Sequence, residues 1–537
     1  MFDNQQFFDR YVAFEPEEAC TLGVAVDAGL LRDLSVEGAE ERSTFYQETL
    51  ETLSHPPQEA ADAGQVLDHE VLQRHCEWEL FAHKRGLHLR NAAWAMYPYT
   101  MLRYEIAQKE PSASELKDPK SDFLRRTAAV PRFFKDLETS LLLGQESGLM
   151  CHQNHYQCLI EYELPGAAKF LAQLDVNASQ AIEQHIKFLK EDLLPHAPEL
   201  SVLGEEAYSE GLKITHGLDS PLQNLVEEAQ ADLLLTQESM IAAAERLFPS
   251  RTFSSFENVA EVIAELQEET LENESSVEGY YRKIIGEVGD HMDQIGEFRK
   301  IDDQKLGMSE YPEGMRDVGP GTNWPAPLLD PEGQGQFVIH PDPKAHSKSW
   351  APVLAVHEGI PGHYLQSQGF RKAFSTSTAP IRFLCVADDV AIPRGNFCSM
   401  LNIEGYAVYA EECVRLSGYH EGQAELFALT ANALRCVRVI AEIDFHRGHR
   451  SADETSQFVM ANAGLPSAEW ELERYQRGPF QSPSYYFGAK AFRHLRNLAE
   501  KQQGSRFHAA DFHEKLFSYG PALPQSIEAD LIRPDVD

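Results

Sequence analysis

The sequence predicts a mainly α-helical protein, and three observations carry that expectation. Apolar residues recur at mixed three- and four-residue spacing over long stretches. No strand-rich block occurs in about the first 300 residues. One segment, Gln336 to His340, is the best strand candidate, closed by Pro341 and Pro343.

Taken in order, helical patterns run from Gly38 to Leu53 and from Glu70 to Leu87, with the breaker Ser54-His55-Pro56-Pro57 between them. They resume from Phe123 to Leu143 and from Ser179 to Leu194, where Pro195 ends the run. A pattern from Leu222 to Arg246 stops at Phe248-Pro249-Ser250, and two more helices fit between Phe256 and Ile295. Between Gly307 and His346 the composition changes to Gly and Pro, a long irregular segment of the kind that often carries function. It leads into the strand at Gln336, which as an edge strand could pair with an extended peptide backbone. A short stabilising hairpin is the simpler alternative. After His363 a helical run to about Phe374 is followed by a Ser/Thr linker and a helix from Ile381 to Ile392.

The chain has 537 residues, and its 84 acidic against 47 basic side chains give a formal charge of −37. An anion of that size is repelled by phosphate backbones and by anionic membranes, so nucleic acid and membrane are poor partners. No run approaches the ~18 apolar residues of a transmembrane helix. Met1 to Arg10 carries acidic residues and no continuous apolar stretch, so a signal peptide is not expected and a cytoplasmic location is. Eight cysteines (Cys20, Cys76, Cys151, Cys158, Cys385, Cys398, Cys413 and Cys436) then read as free thiols.

The chemistry concentrates at His357-Glu358-Gly359-Ile360-Pro361-Gly362-His363, at the end of the apolar run Trp350 to Val356. Ser349 can cap that helix, and Pro352 is tolerated in its first turn. Zinc hydrolases place two histidines at i and i+4 on one helix face, with a Glu after the first as base. Here the second histidine comes at i+6, which on a regular helix at ~100° per residue points away from the first. The two can share a metal only if the helix bulges or breaks between Gly359 and Gly362, where Pro361 and the glycines permit it. Downstream, Glu404, Val408 and Glu411 share a helical face, and Glu404 is a candidate third ligand. Cys151, His155 and Cys158 also fall at helical spacing and are possible zinc ligands, although ordinary core packing is the simpler reading.

His357 to Gln366 together with Glu404 to Glu411 resembles the bacterial domain-of-unknown-function family 885. That family is similar to the gluzincin metallopeptidases, whose helical members include carboxypeptidase Taq and angiotensin-converting enzyme. The segments Arg438 to His446, Pro479 to Gly488 and Phe512 to Pro524 continue the resemblance, which spans about residues 310 to 525. Against the family's Pro-Gly-Gln…Ser-Tyr-x-x-Gly pattern, Phe480-Gln481-Ser482-Pro483 is irregular, Glu442 stands where Asp is usual, and Tyr486 replaces a common Lys.

The resemblance implies two helical lobes around a deep cleft, with a small β element before the metal helix. It implies one gluzincin-like unit over residues 1–537, helical over 1–306 and bearing the metal site over 307–537; a separate helical N-terminal domain is the alternative. On the same ground His357, His363 and Glu404 hold Zn2+, and Glu358 is the general base. Tyr485 and His446 are candidate oxyanion donors, and Gln481 and Arg438 candidate substrate contacts. The expected activity is that of a metallopeptidase on short peptides. A zinc hydrolase of another amide or ester, or an inactive helical binding protein, stays open at this point.

Overall fold

The computed structural model describes residues 4–531 apart from 17, 18, 20, 21, 24–30, 55–62, 110, 312–318, 331, 378–380 and 385–399. It is 73% helix and 3% strand. Average globular proteins are ~30–35% helix, so the class is mainly α.

The expected helices form with shifted ends, and local chemistry explains the shifts. The first runs Val36–Leu53 because the Ser35 hydroxyl accepts from the Gly38 backbone N–H and so caps it. The second runs Ala63–Lys84, and Gly86 at φ 65° turns the chain into the short Leu87–Arg90 helix. Asp122–Glu146 is capped by Ser121 and carries Pro131 inside. Val176–Phe188 passes into a π-helical turn at Leu189–Leu193, and the run continues through Pro195 in a 3-10 turn, Leu194–His196, before Ala197 turns extended. Leu222–Leu247, Phe256–Gln267 and Val277–Gln294 complete the first half. The breaker at 55–57, most of the helix expected from Ile381 to Ile392, and Cys20, Cys385 and Cys398 lie outside the described residues. Cys76, Cys151, Cys158, Cys413 and Cys436 are free thiols.

The irregular segment carries a three-stranded sheet of β1 (Gly307–Glu310), β2 (Gly321–Trp324) and β3 (Gln336–Ile339). Strand order is β1-β3-β2, with β1 parallel and β2 antiparallel to β3. The expected edge strand is therefore the central one. Both of its edges are taken and all four of its residues are buried, so it cannot accept an added peptide strand.

Burial ties distant parts of the chain together. Phe45 and Leu72 share one core with Tyr406, Phe492 and Leu516. Leu212, Leu225 and Val262 share a second with Phe427, Val437 and Phe480. Trp324 and Val338 of the sheet join a third, built from helices between Ala92 and Ala197. Each large side chain so buried contributes ~1.5–3 kcal/mol, which is what holds the site-bearing helices against one another.

Candidate metal centre

The helix that begins at Ala351 opens into a π-helical turn, Ala355–Gly359, which carries His357 and Glu358. Trp350 occupies its N-cap position, and the Ser349 hydroxyl instead points to the Leu266 carbonyl at 3.4 Å, so Ser349 does not cap it. Ile360 is extended, the Ile360–Pro361 peptide is cis, and the Gly362 N–H returns to the Val356 carbonyl at 3.0 Å. A Cβ on Gly362 would sit 2.0 Å from the His357 carbonyl oxygen, so only glycine lets the chain fold back here. His363 then starts a new helix, His363–Thr376. The break expected from the i+6 spacing is present, and it brings the two imidazoles to 4.7 Å between ring centres at 84°.

Glu404 comes from the Met400–Leu416 helix, which packs on Gln481–Gln503 through Gly405 and Gly488. A Cβ on Gly488 would lie 2.1 Å from the Leu401 carbonyl oxygen, so the close approach of these helices requires glycine. Glu404 Oε2 faces His357 Nε2 at 3.3 Å and His363 Nε2 at 3.5 Å. One donor atom from each of the three residues lies within 4.8 Å of the others, and all three side chains are buried. Neither histidine approaches Glu404 Oε2 with good hydrogen-bond geometry, so that oxygen is buried without a partner.

The electrostatics of the trio favour positive charge beside Glu404. Burial lowers the pKa of His357, but the carboxylates of Glu404 and Glu411 outweigh it and hold the ring at about 10. Burial works against His363 in the same way, and Glu404 again raises it. Burial pushes Glu404 up, yet the two imidazoles keep its carboxyl well below the usual range. Two imidazoles and one carboxylate match the three protein donors of a catalytic zinc site.

Three supporting residues escaped the sequence reading as parts of the site. Glu411 Oε1 lies 2.6 Å from His357 Nδ1 and accepts from Arg435 Nη2 at 2.8 Å. Asn323 of β2 gives its backbone N–H to Glu358 Oε2 at 2.8 Å and its side-chain amide to the Glu358 carbonyl at 3.0 Å. The heptad step from Glu404 to Glu411 was a usable signal for the first. Nothing local in the sequence marks Arg435 or Asn323.

The remaining candidates divide. Tyr485 donates its hydroxyl to Glu404 Oε1 at 2.9 Å, and the Gln481 amide reaches that hydroxyl at 3.4 Å. Arg438 stacks over the Tyr485 ring at 5.2 Å but gives its guanidinium to Glu471 at 2.6 and 2.8 Å. It positions Tyr485 and does not line the cavity. His446 is not brought to the site. Its Nδ1 accepts from the Leu203 N–H, its Nε2 donates to the Tyr475 carbonyl, and burial drives its pKa down to about 3, so it is a neutral core residue. Cys151 precedes the Gln153–Cys158 helix and bonds the Arg90 carbonyl, so it does not share a helical face with His155 and Cys158.

Phe480 stands at φ 79°, and among the described residues it is the one non-glycine with positive φ. Here Glu442 accepts the Phe480 N–H at 2.5 Å, and the ring packs against Trp78 and Tyr208. Those contacts offset a backbone cost of ~1–3 kcal/mol and set the start of the helix that carries Gln481 and Tyr485.

His357, Glu358, His363, Glu404, Gln481 and Tyr485 all line one cavity of about 420 Å3. Fold and site together define a helical protein with a candidate metal centre in a cavity of small-molecule size. The chain belongs to the family described as "Bacterial protein of unknown function (DUF885)", whose model matches residues 16–530. Membership thus reaches well before the segment, from about residue 310, that carried the resemblance. No curated protein matches the chain. Among solved structures it is similar to "a putative lipoprotein of unknown function" from Shewanella oneidensis, at 19% identity over 99% of each chain with a TM-score of 0.71. It is also similar to "the putative lipoprotein" from Colwellia psychrerythraea, at 17% identity over 98% of this chain and 97% of that one, TM-score 0.73. These two share the fold. No helix among the described residues is long and apolar enough to cross a membrane.

Proposed function

We propose that the chain is a zinc-dependent hydrolase, a gluzincin-like metallopeptidase that cleaves short peptides. The observation that carries this reading is the convergence of His357, His363 and Glu404 in one cavity wall with Glu358 beside them. The donor set and the unpartnered Glu404 oxygen fit zinc. Zinc held there supplies Lewis acidity to a scissile carbonyl and lowers the pKa of a water to ~7.

The chain's own residues do the rest. Glu358, anchored by the Asn323 N–H, takes the proton of the attacking water and passes it to the departing amine. Glu411 accepts from His357 Nδ1, which fixes the tautomer and leaves Nε2 as the ligand atom. The one proton of the Tyr485 hydroxyl steadies Glu404, and Tyr485 serves an oxyanion by turning that proton away from the carboxylate. A cavity of about 420 Å3 admits a short peptide and excludes a folded chain.

The test is elemental analysis of protein purified without chelators, followed by digestion of a library of short peptides. The expected result is one zinc per chain and cleavage that chelation stops and added zinc restores. Protein without stoichiometric metal, or with zinc and no cleavage of any peptide, would defeat the reading.

A further inference from the structure

The Gln423–His446 and Glu469–Arg477 helices carry the arginines Arg438, Arg474 and Arg477, and two of the three are matched by acids. Arg438 makes a two-pronged bond to Glu471. Arg477 pairs with Glu163 at 3.0 Å and lies 3.8 Å from Glu473. Arg474 has no carboxylate within ion-pair distance among the described residues. Its side chain touches Gln481 Oε1 at 3.5 Å, the limit of a hydrogen bond, and its Nε is buried without a partner. Glu471, whose field reaches it, is already committed to Arg438.

An arginine does not shed its charge in a protein, so a half-buried guanidinium in a cavity wall takes its counter-charge from solvent or from a ligand. Its planar fork suits a carboxylate better than any other small anion except phosphate. Position adds the second argument. Arg474 contacts Gln481, Gln481 reaches the Tyr485 hydroxyl, and Tyr485 bonds Glu404, and all four line the same cavity. Arg90 also faces the cavity without an acid, but its side-chain bond goes to Ser201, and it is Arg474 that this chain of contacts joins to the metal ligands.

We propose that Arg474, with the Gln481 side chain, forms a docking site for a free carboxylate, the unblocked C-terminus of a short peptide in the hydrolase proposed above. The assignment of the peptide rests on that proposal; the carboxylate site rests on Arg474 itself. It also separates the local field from the net charge of the chain, since an acidic protein here presents an unmatched cation to its ligand.

Binding of N-acetylphenylalanine and of its amide is compared by calorimetry on the full chain, before and after chelation, because zinc itself attracts carboxylates. The acid should bind about tenfold tighter than the amide in both preparations, the loss expected for one charge-assisted pair. Arg474→Gln should abolish the preference, and Arg474→Lys should recover part of it, which shows that loss of fold is not the cause. Paired peptides with free and amidated C-termini should show a raised KM for the free acids in Arg474→Gln, with kcat and zinc content unchanged. A wild-type protein indifferent to the carboxylate, or an Arg474→Gln protein that keeps the preference, overturns the proposal. Arg474-dependent preference in a protein that holds no zinc and cleaves nothing sustains the carboxylate site while removing the hydrolase reading. Zinc-dependent cleavage without the preference does the reverse.

Discussion

Glu411 Oε1 sits 2.6 Å from His357 Nδ1 and 2.8 Å from Arg435 Nη2, so one buried carboxylate orients a candidate ligand and is itself held by a guanidinium. Burial raises the Glu411 carboxyl, but Arg435 and then His357 bring it below its ordinary value. Such partners typically contribute ~10–100-fold to metal affinity without touching the metal. Glu411→Gln should therefore weaken zinc retention by about that factor while leaving the helix intact, as a competition titration against a chromophoric chelator would read. Unchanged affinity would mean that His357 needs no orienting partner.

Glu358→Gln separates base from ligand. The amide keeps the size of the side chain but cannot take a proton from water, so zinc content should hold while turnover falls ~10²–10⁴-fold. His357→Ala and Glu404→Gln should instead lose metal. Measuring zinc and single-substrate kinetics on all three variants checks the contrast, and loss of metal from Glu358→Gln would contradict the assignment.

Gly488→Ala tests the helix contact that sets Glu404 against Tyr485. The added methyl would lie 2.1 Å from the Leu401 carbonyl and 2.6 Å from Gly405 Cα, backbone atoms that cannot step aside. Overpacking of this kind costs ~1–3 kcal/mol. The expected outcome is a lower urea midpoint together with weaker zinc retention, since the helices must separate at the residue next to Phe487 and one turn from Tyr485. A midpoint equal to wild type would show that the helices slide without cost.

Glu442 makes stability depend on pH. Burial raises its carboxyl from the ordinary 4.5 to about 7, against the hydrogen bonds from Ser482, Tyr208 and Phe480. Between those values the unfolded chain has released the proton and the folded chain has not. Stability attributable to Glu442 is therefore full below about pH 4.5, declines as pH rises, and is lost above about 7. The rise corresponds to ~3 kcal/mol. Glu442→Gln should flatten the fall in urea midpoint between pH 5 and about 7 relative to wild type. An identical slope in the two proteins would assign the pH dependence elsewhere.

The helical class was legible because it rests on periodicity, a property of neighbours in sequence: Leu222 to Arg246 declares its buried face without reference to the rest of the chain. The break between His357 and His363 was legible for a related reason, since Pro361 restricts its own backbone and Gly362 frees its own whatever surrounds them. The strand at Gln336 was visible but its place was not. Whether a strand lies at the edge or the centre depends on Gly307–Glu310 and Gly321–Trp324, short segments with no strand signal of their own.

By itself, then, the sequence determined the helical class and the position of the chain break, which follow from residues within a few turns of one another, and the family and the candidate ligands, which follow from short motifs recognisable one at a time. Only the tertiary structure decided which side chains meet. It set Glu411 on His357 across 54 positions and Asn323 on Glu358 across 35, and it turned His446 into the core. It also left Arg474 without an acid beside two arginines that have one. Those outcomes depend on helix packing over long separations, through contacts such as Gly405 against Gly488, and no local pattern encodes them.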